Sequence, residues 1–158
     1  MTDTIIIRPN KQLAFPDGIY QWVQTICFVH PIHITFGFYY EMYLCAMMGI
    51  ALFYTSFKYW QNPITPSFER NRDMICVFTI VPYHYYLSLY TTNNILCTSI
   101  GVTGILMYPL SLYLQHIHNY IKQAAICHCL LHVFVSVSAS LIYQDYYEQG
   151  MSLKWNLY

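Results

Sequence analysis

Long apolar stretches alternate with short polar breaks along the chain. Four stretches approach the roughly 20 apolar residues that cross a hydrocarbon core: Ile34 to Phe57, Met74 to Tyr90, Ile95 to Leu114 and Ala124 to Tyr143. Thr91-Thr92-Asn93-Asn94 is a tight polar turn, and Gln115 to Gln123 is a polar link to the last stretch. The segment FKYWQNPITPSFERNRD, residues 57 to 73, is the longest loop, kept out of lipid by its two prolines and its charges. Before the first stretch, DGIYQWVQTICFVHP predicts a short interfacial helix ended by Pro31, with Tyr20 and Trp22 at headgroup level. The expected fold is an all-α integral membrane bundle of four transmembrane helices at 34–143. An interfacial segment, 1–33, precedes it and a tail, 144–158, follows.

Composition strengthens this picture. Hydrophobic residues make up 56% of the chain and charged ones only 9%, with no net charge, so no basic surface is offered to nucleic acid. The start, MTDTIIIRPNK, lacks a basic leader with a long apolar centre, which makes the first helix the expected insertion signal. Lys58, Arg70, Arg72 and Lys122 lie on one side of the expected bundle and Arg8, Lys11 and Lys154 on the other. The charge bias turns the first side to the cytosol, with both termini opposite. Five of the six cysteines fall inside expected spans and read as free thiols. Cys127-His128-Cys129 is no metal motif, because alternate helical residues point about 200° apart.

The fourth stretch, AAICHCLLHVFVSVSASLIY, is uncharged yet carries His128 and His132 one turn apart. That spacing lets two imidazoles reach one Zn²⁺ when a third ligand comes from elsewhere. Asp73 and His84 are eleven residues apart, close to three turns, and so share a face of the second helix. His84 lies roughly 16 Å along that helix, near the depth of His132 in the fourth, and Pro82 is placed to bend the helix inward. His84 is the expected third nitrogen. Each group also has a plain structural alternative: histidines bonded across the bundle, Asp73 paired with Arg70 or Arg72, and Ser56 bonded to its own helix backbone.

The order Ser56, Asp73, His128-x3-His132 resembles the membrane hydrolase superfamily of alkaline ceramidases, progestin and adipoQ receptors and Per1-like proteins. SFKYWQNPITPSFERNRD also looks like short members in which a serine is followed by a His-Trp pair, an Asn-Pro turn, basic residues and an aspartate. The resemblance covers residues 56 to 132. It implies a zinc-activated water attacking a lipid amide or ester, with Asp73 orienting or deprotonating the water and Ser56 stabilising the oxyanion. The family's third zinc histidine follows the serine by a few residues, where this chain has Lys58, Tyr59 and Trp60. The family also commonly has seven spans.

A second function class stays open: a non-catalytic subunit of a larger membrane assembly, its histidines binding haem, a lipid or a neighbouring helix. Both classes make the chain a multi-pass membrane protein whose first partner is the bilayer. Glu41 is too far along its helix to join Ser56, roughly 20 Å away. His116 and His118 read as solvated loop residues, and His30 and His33 flank Pro31 at the opposite face. Gly101, Gly104, Ser136 and Ser140 mark helix-packing surfaces, and Ser136 is also placed to hold the ring of His132.

Overall fold

The computed structural model describes residues 12–151. Arg8, Lys11, Lys154 and the MTDTIIIRPNK leader, on which the orientation and insertion expectations rest, lie outside them. Helices form where the apolar stretches predict them, but the N-terminal half is divided differently. Helix α1 (Tyr20–Ile26) passes through a 3-10 turn, Cys27–Val29, into α2 (His30–Tyr39), so that positions 20–39 make one rod. Pro31 stands in the first turn of α2, directly after the 3-10 turn, and the rod continues past it rather than ending there. The chain reverses at Tyr40–Met42, with Glu41 at φ +59°, and α3 (Tyr43–Gln61) runs back. The expected first span, Ile34 to Phe57, therefore straddles a reversal centred on its only charged residue.

The expected 57–73 loop shrinks because α3 runs on to Gln61 and the next helix begins at Phe68. Strand β1 (Gln12–Leu13) pairs antiparallel with β2 (Ile64–Thr65), Gln12 opposite Thr65, and the Thr65–Pro66 peptide is cis. Ser67 then caps α4 (Phe68–Ser88), its hydroxyl accepting from the Arg70 N–H at 3.1 Å. Asp73 thus sits in the second turn of α4 instead of opening the helix. Helices α5 (Asn94–His116) and α6 (Ile121–Glu148) contain the expected third and fourth stretches, and α6 continues into the expected tail. There Asp145 accepts from the Thr92 N–H at 2.5 Å, closing the polar α4–α5 turn.

Successive rods are antiparallel and held close by small residues. A Cβ on Gly37 of α2 would lie 3.0 Å from that of Ala46 on α3. A Cβ on Gly104 would lie 2.9 Å from Phe134 Cβ and 3.2 Å from the Val135 nitrogen. Ser138 donates to the Cys97 carbonyl at 2.8 Å and Ser111 to that of Ala124 at 2.7 Å, joining α5 to α6 near both ends. The core has two apolar clusters. One gathers Met42, Cys45, Leu87, Cys97, Ile142 and Tyr143; the other gathers Phe15, Val23, Cys27, Tyr59, Trp60 and Ala124. Phe15 and Tyr147 fall at opposite ends, since Phe15 stacks on Trp60 and Tyr147 packs on Tyr40. The described chain therefore begins and ends at opposite ends of the bundle. All six cysteines are free.

Two helices, α5 and α6, are long and apolar enough to cross a membrane. Only 17% of the most apolar window of α5 is buried inside the fold and 33% of that of α6, so their apolar sides face outward. The close α5–α6 contact yields a direct prediction. Gly104→Leu should destabilise the folded protein by about 1–3 kcal/mol, the usual penalty for overpacking, whereas Val102→Ala, on the outer side, should change it by less than about 0.5 kcal/mol. Thermal unfolding of the detergent-solubilised protein checks both.

Candidate functional site

Between the two apolar clusters lies a layer of buried polar side chains. Ser56, one turn before the end of α3, donates its hydroxyl to Asp73 Oδ1 at 2.5 Å. Thr55, its neighbour, donates to the same oxygen at 3.3 Å. Asp73 is therefore held by hydroxyls of α3; the alternative pairing with Arg70 or Arg72 does not form, and the Arg72 guanidinium lies over Tyr54 and Phe68. Because Asp73 is buried, the hydrogen bond from Ser56 offsets part of its desolvation, while the single Thr55 hydroxyl proton is shared between Asp73 and the Leu52 carbonyl at 3.2 Å.

The second half of the layer comes from α6 and α2. His128 and His132 stand side by side, ring centroids 5.3 Å apart. On the far side of His132 is His30, whose Nε2 is 2.9 Å from His132 Nδ1. His33, one turn further along α2, contacts Ser136 Oγ through Nδ1 at 3.1 Å, and Ser136 lies 3.5 Å from His30 Nδ1. The chain is therefore His132, His30, Ser136, His33. It can be satisfied in either direction: with protons pointing from His132 towards His33, His132 Nε2 keeps a bare lone pair, and with every proton reversed it carries an N–H. In both cases His132 Nε2 is buried with no hydrogen-bond partner. A buried imidazole nitrogen without a protein partner is costly; His132 Nε2 and Arg72 Nε are the two such side-chain atoms among the described residues, and His132 borders the cavity.

These groups line one cavity of about 240 Å³. His30, Ser56, Asp73, His128 and His132 are its polar wall, and Leu52, Val77, Val81, Ile105 and Leu131 are among its apolar ones. Four of the five sequence-predicted site residues, Ser56, Asp73, His128 and His132, thus meet from three helices. His84 does not join them. Its Nδ1 donates to the Ile80 carbonyl at 3.0 Å and its Nε2 accepts from the Tyr143 hydroxyl at 2.6 Å, and it lines a different cavity. With both nitrogens used, it has no lone pair for a metal. Conversely, His30 and His33, expected at the opposite face of the membrane, are buried beside His132 and Ser136. Their i, i+3 spacing was the available signal; Pro31 between them masked it by suggesting a helix end.

The zinc site implied by the resemblance is not completed by these residues. Among the described residues no three His, Cys, Asp or Glu side chains are grouped to hold a metal ion. His132 Nε2 has the character of a ligand, but the neighbour packed on His128 is the Trp60 ring, with centroids 4.9 Å apart, which brings no ligand atom. His30 and His132 are in hydrogen-bond contact, so these two do not hold a haem between them. Trp60→His should therefore add the missing nitrogen beside His128, and the variant should retain about one zinc per chain after metal loading and desalting while the wild type retains far less. Elemental analysis decides it, and stoichiometric zinc in the wild type would contradict the misfit. The chain matches no protein-family model, and no characterised protein or solved structure is detectably similar to it.

Proposed function

We propose that the chain is a hydrolase of lipid amides or esters that works inside a membrane. The observation that carries this is the meeting of Ser56, Asp73 and the unpartnered His132 Nε2 in one largely apolar cavity. A soluble substrate would gain little from such walls, whereas an acyl chain is stabilised by roughly 0.8 kcal/mol for each buried CH₂ group.

The reacting groups divide the work as follows. The Ser56 hydroxyl already points at Asp73, so when Ser56 Oγ adds to the carbonyl carbon its proton passes to the carboxylate. The bond to the leaving nitrogen or oxygen then breaks, and the leaving group takes that proton. Water cleaves the resulting acyl-serine, its proton going to His132 Nε2 and from there to the departing Ser56 oxygen. His30 acts as a positioning residue, holding the His132 ring so that Nε2 remains unpaired.

The bundle's outer surface supports a membrane setting. Ile75, Phe78 and Ile95 on α4 and α5 are more than half exposed, an apolar exterior suited to lipid. The rods at 20–39, 43–61, 68–88, 94–116 and 121–148 are each about 28 Å or longer at 1.5 Å per residue, enough to reach across a hydrocarbon core. Taken as five crossings, of which α5 and α6 are the two that are also apolar enough by composition, they put the two ends of the bundle on opposite sides.

Two tests follow. In an assay against lipid amides and esters, Ser56→Ala and Asp73→Asn should each lower turnover by about 100-fold or more, and a fluorophosphonate should label wild type but not Ser56→Ala. His118→Ala, on the exposed α5–α6 connection, serves as the unaffected control. Unchanged turnover in Ser56→Ala would contradict the mechanism. Separately, tags on the two termini should report opposite compartments; the same compartment for both would contradict five crossings.

A further inference from the structure

Resting on the lipid-hydrolase reading above, the same cavity system indicates which lipids it takes. The chamber at Ser56 and Asp73 adjoins a second cavity of about 210 Å³ at the end of the bundle, and the two share Asp73, Met74, Tyr108 and His128. Their chemistry differs. Following the inner face of α4 from the bundle end inward, the lining side chains are Arg70, then Asp73 and Met74, then Val77 and Val81. These recur every three to four residues and so form one stripe, passing from cation to carboxylate to hydrocarbon. Helix α5, running the other way, repeats the gradient: His116 and Gln115 line the outer cavity, Tyr108 both, and Ile105 the inner one.

The inner chamber is also open sideways. Phe78 lines it and yet is 71% exposed, and Ile105, across from it on α5, is 37% exposed. The opening lies between α4 and α5, which meet at their turn, where Ser88 and Thr98 are 2.9 Å apart. The Arg70 guanidinium has no carboxylate partner among the described residues; the hydrogen bond recorded for this residue is made by its backbone N–H to Ser67. Its forked donors suit a phosphate or carboxylate.

We infer that the site binds a lipid with an anionic headgroup, its acyl chain between α4 and α5 and its head in the outer cavity against Arg70. Asp73 lies one turn inward of Arg70, at the boundary that the two cavities share.

Trp60 provides the probe, because it is buried and lines the outer cavity. In the full chain with Trp22→Phe and Trp155→Phe, quenching of Trp60 fluorescence is titrated with lysophosphatidic acid and with monoacylglycerol bearing the same brominated chain, and inorganic phosphate is tested as competitor. The anionic lipid should bind about tenfold tighter than the neutral one. Arg70→Gln should abolish that preference without weakening the neutral lipid, Arg70→Lys should keep part of it, and millimolar phosphate should compete weakly. Equal binding of the two lipids, or a preference that survives Arg70→Gln, overturns the headgroup assignment while leaving the lipid cavity in place. Phosphate competing as strongly as the lipid assigns the site to the free ion and overturns it too. Quenching by neither lipid overturns the hydrolase cavity itself.

Discussion

The site depends on the contact between His30 and His132. Buried imidazoles in an apolar bundle must find partners or carry a desolvation penalty. Here each supplies the other's need, and Ser136 and His33 extend the arrangement by two further groups. The contact fixes α2 against α6 at a single register, because a shift of one residue on either helix would carry its polar side chains about 100° away from the partner. With α2 in place, α3 follows at the close glycine contacts, and Ser56 comes within reach of Asp73 on α4. Gly49 belongs to the same constraint: a Cβ there would lie 2.9 Å from His33 Nε2, so the imidazole fits because α3 has no side chain at that point.

Away from this contact the bundle is less tightly closed. Helices α4 and α5 carry prolines within the helix, Pro82 and Pro109, and both line the central cavity. An interior proline removes the hydrogen bond to the carbonyl four residues earlier, here those of Phe78 and Ile105. The same two residues border the sideways opening. At the end of the bundle, next to the short β1–β2 pairing, Phe15 packs against Trp60 and His128 and closes an aromatic wall.

What the sequence revealed and what it hid follow from the range of each signal. Helices α5 and α6 were legible because each is one uninterrupted apolar run ended by polar residues. The α2–α3 reversal was hidden because both helices are apolar and the turn between them has only Glu41 as a polar mark. In the site, Ser56, Asp73, His128 and His132 were legible as polar residues whose chemistry is unusual for apolar helices, supported by the resemblance in their order. His84 stands apart from His128 and His132: depth along an axis places it at their height but carries no information about which neighbour it faces. That neighbour is Tyr143, which a stripe of aromatic and small residues on α6 did not distinguish from packing.

The most direct measurement is a double-mutant cycle between His30 and His132, read as the unfolding free energy of the detergent-solubilised protein for wild type, His30→Ala, His132→Ala and the double variant. If the contact sets the register of α2 on α6, the two losses should be non-additive, with a coupling of about 1–2 kcal/mol. Additive losses, with coupling within about 0.3 kcal/mol of zero, would mean that the two imidazoles do not meet, and the site built on them would not form as described.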